Sequence, residues 1–115
     1  MGDCRVVLCK KGEAVNLTND QKATRQDEQE RIKRLKGEIS LSRLYSKLAI
    51  SRSFGDFNLK QRYKKEIDRD MLLNGVLIVK PEIRMTEIDP FDDEFIVIAS
   101  DGLWDKFTSQ DCVYM

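Results

Sequence analysis

The chain is 115 residues long, 41% hydrophobic and 35% charged, with 20 Lys and Arg against 20 Asp and Glu. That bounds it to one small domain with enough apolar content for a core, and a formal charge of zero gives no global pull toward nucleic acid or an anionic membrane. Histidine is absent, which excludes Ser-His and Cys-His mechanisms and a His-ligated zinc site within the chain, so hydrolysis here needs carboxylates and a metal.

The three cysteines are odd in number and widely spread, unlike a disulfide framework. They fit a reducing, intracellular setting, cytoplasmic or nuclear. No apolar run approaches the ~20 residues that span a bilayer. The first residues lack the apolar core of a secretory signal, and Val6 stands where a myristoylation pattern wants Ser or Thr.

Arg5–Cys9 and Ala14–Thr18 are two short apolar strands joined by a Lys-Gly turn, which predicts a hairpin. If Cys4 and Cys9 share a strand, their odd separation puts them on opposite faces, so they do not bind one metal together. Thr24, with Asp27 three residues on, predicts a helix N-cap. The helix then runs Arg25–Lys36 and stops at Gly37. Its Asp27–Arg31 and Glu30–Arg34 spacings favour i,i+4 pairs, and its thin stripe of Ile32 and Leu35 predicts a surface helix with solvated charges. Lys47–Ser51 reads as a strand, followed by a turn or short helix at Arg52–Asp56. The basic run Lys60–Lys65 is followed at once by acids, which predicts an exposed helix or loop rather than a nucleic-acid patch. Asn74-Gly75 is a turn, Val76–Val79 a strand, and Glu82–Ile88 alternates as a strand with one buried face. Ser109 is expected to cap a final helix. Because the first strand begins almost at the first residue and the final helix is cut short, the chain is expected to be one partial domain, residues 1–115.

The run Phe95–Ala99 is apolar and β-branched, which predicts a strand buried on both faces. It stops at Asp101-Gly102, and Asp105 follows four residues after Asp101. Two carboxylates beside a rigid strand end suit a hard cation, Mg²⁺ or Mn²⁺. The plainer reading makes Asp101 a turn or cap residue before a helix. The fold class expected from these elements is α+β, with antiparallel sheet flanked by helices.

The order of five motifs resembles a known family. They are Gly2-Asp3-Cys4-Arg5 before the hairpin, Glu30-Arg31-Ile32 ending a charged helix, Leu48–Asp56 (Leu-Ala-Ile-Ser-Arg-Ser-Phe-Gly-Asp), Val79-Lys80-Pro81-Glu82-Ile83, and Glu94–Asp105, which ends in Ser-Asp-Gly-Leu-Trp-Asp. Together they resemble the type 2C metal-dependent protein serine/threonine phosphatases. The resemblance implies a four-layer αββα sandwich in which two metals activate a water for in-line attack on the phosphate of a phosphoprotein. It implies that Asp101 binds one of two central metals and that Asp3 and Asp105 hold an additional one. Asp56 would support the site without touching metal, and Trp104 would pack in the core. Cys4 stands where serine is usual, Gln21 where histidine often follows Asp20, and Gly37 is one glycine of a usual pair. The family's phosphate-gripping arginine and its other metal ligands are expected outside this chain. The chain by itself is therefore expected to be inactive, and to cover its apolar sheet by forming a homodimer or a strand-exchanged oligomer. The other reading is an inactive phosphatase-like module that works through protein contacts.

Overall fold

The structure is a computed structural model, and it describes residues 1–61 and 68–115. The described elements are β1 (Arg5–Lys10), β2 (Glu13–Asn16), α1 (Gln26–Arg34), β3 (Ile39–Ser40), β4 (Arg43–Leu44), α2 (Phe57–Lys60), α3 (Arg69–Asn74), β5 (Asp93–Ala99), α4 (Asp101–Trp104) and α5 (Ser109–Tyr114). They fall into two compact units. One comprises Met1–Gly2 and Gln21–Glu82, the other Asp3–Asp20 and Ile83–Met115.

The second unit is built on an antiparallel sheet of order β2-β1-β5. The β1–β2 hairpin closes on Lys11-Gly12, both with positive φ (51° and 76°), the geometry that matches the twist of paired strands. Register pairs Val7 with Val97 and Cys9 with Phe95, so these side chains share one face. There Val7, Cys9, Trp104, Cys112 and Val113 form a core, with Ala14, Val97, Ala99 and Leu103 packed against it. The expected burial of β5 on both faces does not hold: Ile96 is 48% exposed and Ile98 73%. Among the described residues β5 lies at the edge of the sheet, and its Val97–Ala99 face packs with α4 and α5. The alternating segment Glu82–Ile88 is no strand either; Ile83, Met85 and Ile88 are exposed, because no strand pairs with it among the described residues. α5 is capped by Thr108 rather than Ser109. Thr108 and Asp111 form a reciprocal capping box.

The first unit packs Ala23, Ile32, Leu44, Tyr45 and Leu77 into its own core, with Ile39, Leu48, Leu59 and Val76 around it. α1 begins one residue later than the spacing predicts, after Arg25, without a side-chain cap from Thr24. The expected i,i+4 pairs are replaced: Asp27 pairs with Arg25, and Arg31 with Glu28 one turn back. Lys47–Ser51 and Val76–Val79 form isolated bridges rather than strands, Lys22 to Ile50, Leu44 to Leu48 and Arg52 to Ile78. Leu77 and Ile78 are buried, while Leu48, Ala49 and Ile50 are half-buried. β3 and β4 form a minimal hairpin whose tip, Leu41-Ser42, has φ of 51° and 63°. A left-handed conformation costs a non-glycine residue about 1–2 kcal/mol. Most of the predicted basic run, Arg62 onward, lies outside the described residues.

Candidate metal centre

The antiparallel register decides where the predicted carboxylates go. Arg5 lies opposite Ala99, so the residues just before β1 and just after β5 meet at the same end of the sheet. Asp3 is two residues before Arg5, and Asp101 two residues after Ala99. Asp101 opens α4 behind Ser100, and the Asp105 N–H donates to the Asp101 carbonyl at 2.8 Å, closing the turn. Asp101 and Asp105 are exposed and Asp3 is half-buried. All three therefore belong to one unit and one sheet end.

That end is held from below. Trp104 donates its indole N–H to the Ala99 carbonyl at 2.7 Å, tying α4 to the last residue of β5. The Arg5 guanidinium lies 5.2 Å from the centre of the Trp104 ring. Arg5 also grips Asp20 with two nitrogens, at 3.0 and 2.7 Å, and donates to Ser109 Oγ at 3.2 Å. The bond to Asp20 raises the Arg5 pKa, against the opposing effect of burial. No sequence signal marks the Arg5–Asp20 pair, because its partners are 15 residues apart. As expected, Trp104 packs in the core.

Asp56 lies in the other unit, within the loop leading to α2, in a left-handed conformation (φ 51°). Its carboxylate accepts from Ser53 Oγ at 2.6 Å. Lys60 is 5% exposed and donates to the Ser53 and Gly55 carbonyls at 2.7 and 2.5 Å, drawing the loop shut. Burial lowers the Lys60 pKa, and Asp56 opposes the shift. Gln21 is also buried. Its side-chain oxygen receives the Gly2 N–H at 3.0 Å, and its carbonyl receives both the N–H and the hydroxyl of Ser51.

Among the described residues, one trio of potential metal-ligand side chains brings its atoms within 4.8 Å of one another: Asp27, Glu28 and Glu82. Asp3, Asp101 and Asp105 do not converge that closely. The close trio is nevertheless compensated by protein. Glu28 is 1% exposed, and it receives Arg52 at 3.1 and 2.6 Å and Arg31 at 2.9 Å. Arg25 bonds both Asp27 and Glu82. Burial alone pushes the Glu28 carboxyl up, but hydrogen bonds from Arg52, Arg31 and Ser51 outweigh it and bring the pKa down to about 2. Three guanidiniums already neutralise these acids, so a cation would have to displace them. The network is a structural tie between α1 and the Arg52 loop. The helix charge pattern gave no signal of it, because Glu28 looks like any other acid on a solvated face.

The donor set at the sheet end is all carboxylate oxygen, and open to solvent at Asp101 and Asp105. It suits a hard cation that keeps part of its water shell and takes only some ligands from protein.

A family model described as protein phosphatase 2C matches residues 1–115. Probable protein phosphatase 2C 14 of Arabidopsis thaliana is 41% identical over 118 residues, covering 99% of this chain and 23% of that protein. Probable protein phosphatase 2C 21 of Oryza sativa subsp. japonica is 40% identical over 113 residues, covering 98% of this chain and 32% of that protein. Among solved structures, a C. elegans sex determining protein superposes with a TM-score of 0.75 at 22% identity, covering 98% of this chain and 25% of that one. A phosphatase from a pathogenic strain of Toxoplasma gondii superposes with a TM-score of 0.66 at 22% identity, covering 99% of this chain and 33% of that one. These likenesses show the fold, an α+β phosphatase fold. The chain spans 23% and 32% of the lengths of the two plant proteins.

Proposed function

We propose a function on one ground: this chain belongs to the protein phosphatase 2C family. It is a segment of a metal-dependent protein serine/threonine phosphatase, acting on phosphoserine and phosphothreonine in protein substrates. The family match over residues 1–115 carries this reading, and the common sheet end of Asp3, Asp101 and Asp105 supports it.

Asp101, Asp105 and Asp3 are the residues that would hold Mg²⁺ or Mn²⁺. When bound, such a cation supplies charge stabilisation and an acidified water for hydrolysis of a phosphate ester. The chain's own part is positional. Trp104 and Arg5 keep the end of β5 rigid, so Asp101 is presented at a fixed place. Asp56, in the other unit, orders the Ser53–Asp56 loop through its bond to Ser53 and is not among the residues that would hold metal. Three carboxylates do not fill the shells of two octahedral cations, so the 115 residues alone are expected to bind metal weakly and to turn over no phosphopeptide.

Calorimetric titration with Mn²⁺ tests the assignment. Weak binding by the wild type and none by Asp101→Ala is expected; equal binding by both overturns it. Metal-dependent turnover of a phosphopeptide by these 115 residues, lost in Asp101→Ala, would overturn the expectation of inactivity.

A further inference from the structure

We propose that the cationic surface spanning residues 33–47 docks acidic stretches that flank the phosphorylated residue in the protein substrate. The phosphorylated residue rests on the phosphatase reading; the acidic flanks rest on three observations of the chain itself.

First, the zero net charge conceals an asymmetry. Residues 21–82 carry fifteen Lys and Arg against nine Asp and Glu, and the rest of the chain five against eleven. Within 33–47 there are five cations, Lys33, Arg34, Lys36, Arg43 and Lys47, and one acid, Glu38. All five cations are exposed, and none forms an ion pair among the described residues. Arg25, Arg31 and Arg52 of the same unit are, by contrast, matched to Asp27, Glu28 and Glu82. Lys33 and Arg34 favour the C-terminal end of α1 through its dipole, but Lys36, Arg43 and Lys47 lie beyond the helix.

Second, these residues come from neighbouring segments of one unit. Ile32 of α1 and Leu44 of β4 meet in one core. The Tyr45 N–H donates to the Glu38 carbonyl at 2.9 Å, and Arg43 donates to the Lys47 carbonyl at 3.0 Å. The hairpin and the end of α1 are therefore neighbours.

Third, the hairpin tip is shaped against folding economy. Leu41 is 87% exposed and holds φ of 51°, at a turn position that Asn or Gly adopts with less strain. Among the described residues no core cluster takes in this side chain. Nearby in chain order, Lys47 and the 59% exposed Phe57 line an open cleft of about 470 Å³ with Asp56, Asn58 and Leu59. Cations interleaved with exposed apolar side chains fit a peptide that alternates Asp or Glu with aliphatic residues.

Fluorescence anisotropy on the whole chain tests this with a labelled phosphoserine peptide whose flanks are rich in Glu, Asp and Leu. The comparison probes are its unphosphorylated form, a form with Gln and Asn for the acids, and a single-stranded oligonucleotide of matched charge. Both acidic peptides are expected to bind about tenfold tighter than the neutral one, and to weaken as salt shortens the screening length. Arg43→Glu and Lys47→Glu should each weaken binding several-fold. Lys106→Glu, the same charge change on the other unit, should leave it unaltered. Leu41→Asn should weaken binding while raising the melting temperature, which separates contact from folding. Equal affinity for acidic and neutral peptides, equal loss in Lys106→Glu, or tighter binding of the oligonucleotide overturns the proposal. Binding of the unphosphorylated peptide reads docking alone, so failure of docking is distinguishable from failure of the phosphatase reading.

Discussion

Glu28→Gln removes one charge and keeps the side chain's shape. In the structure this side chain is buried and sits between Arg52, at 2.6 and 3.1 Å, and Arg31 at 2.9 Å. Gln leaves two guanidiniums facing a neutral amide that can accept through one oxygen only. The pKa falls from 4.5 to about 2 on folding, which corresponds to roughly 3 kcal/mol at neutral pH. Loss of one partner from a buried pair falls in the same range, about 3–5 kcal/mol. The folded pKa is depressed, so this stability is complete above the unfolded value of 4.5 and is lost as pH falls through about 2. At about pH 3 only about 1 kcal/mol of it should remain. Urea unfolding followed by far-ultraviolet circular dichroism, on both proteins at neutral pH and near pH 3, measures the difference. Asp27 and Glu82 are also held below their usual range and titrate in both proteins, so most of their contribution cancels in the difference. A gap below about 1 kcal/mol at neutral pH, or one that does not shrink in acid, would refute the assignment of Glu28 as a buried, paired charge.

Gly37→Ala should destabilise the first unit by about 1–3 kcal/mol, because a Cβ there would lie 2.7 Å from Val76 Cγ1 and 2.8 Å from Ile32 Cγ2; thermal melting reads it, and an unchanged midpoint would show that the packing relaxes freely. Trp104→Phe loses the bond to the Ala99 carbonyl and should cost about 1–2 kcal/mol by the same measurement; it should also weaken Mn²⁺ binding if the strand end positions Asp101. Light scattering across a dilution series should show a dimer or strand-exchanged oligomer, since Ile96 and Ile98 are exposed on an edge strand and covering each is worth about 1.5–3 kcal/mol. A constant monomer mass at micromolar and higher concentrations would sink that expectation.

The sequence by itself determined the features written in near neighbours. The β1–β2 hairpin follows from two short apolar runs on either side of Lys11-Gly12. The β5 strand and its abrupt stop follow from Phe95–Ala99 and Asp101-Gly102, and the ordered motifs pointed to the phosphatase family. The hairpin and strand signals act over a few neighbouring residues, the range over which backbone conformation is chosen. Tertiary structure alone decided burial and partnership. Glu28 and Lys60 read as exposed charges, yet each is buried because distant groups meet it: Arg52 comes 24 residues later, and the Ser53 carbonyl 7 residues earlier. Ile96 and Ile98 read as core but stay exposed, because an apolar face is buried only when another element covers it. Even the gathering of Asp3 with Asp101 and Asp105 at one sheet end came from the β1–β5 register. That register is set by pairing between strands more than 80 residues apart, which local sequence pattern does not encode.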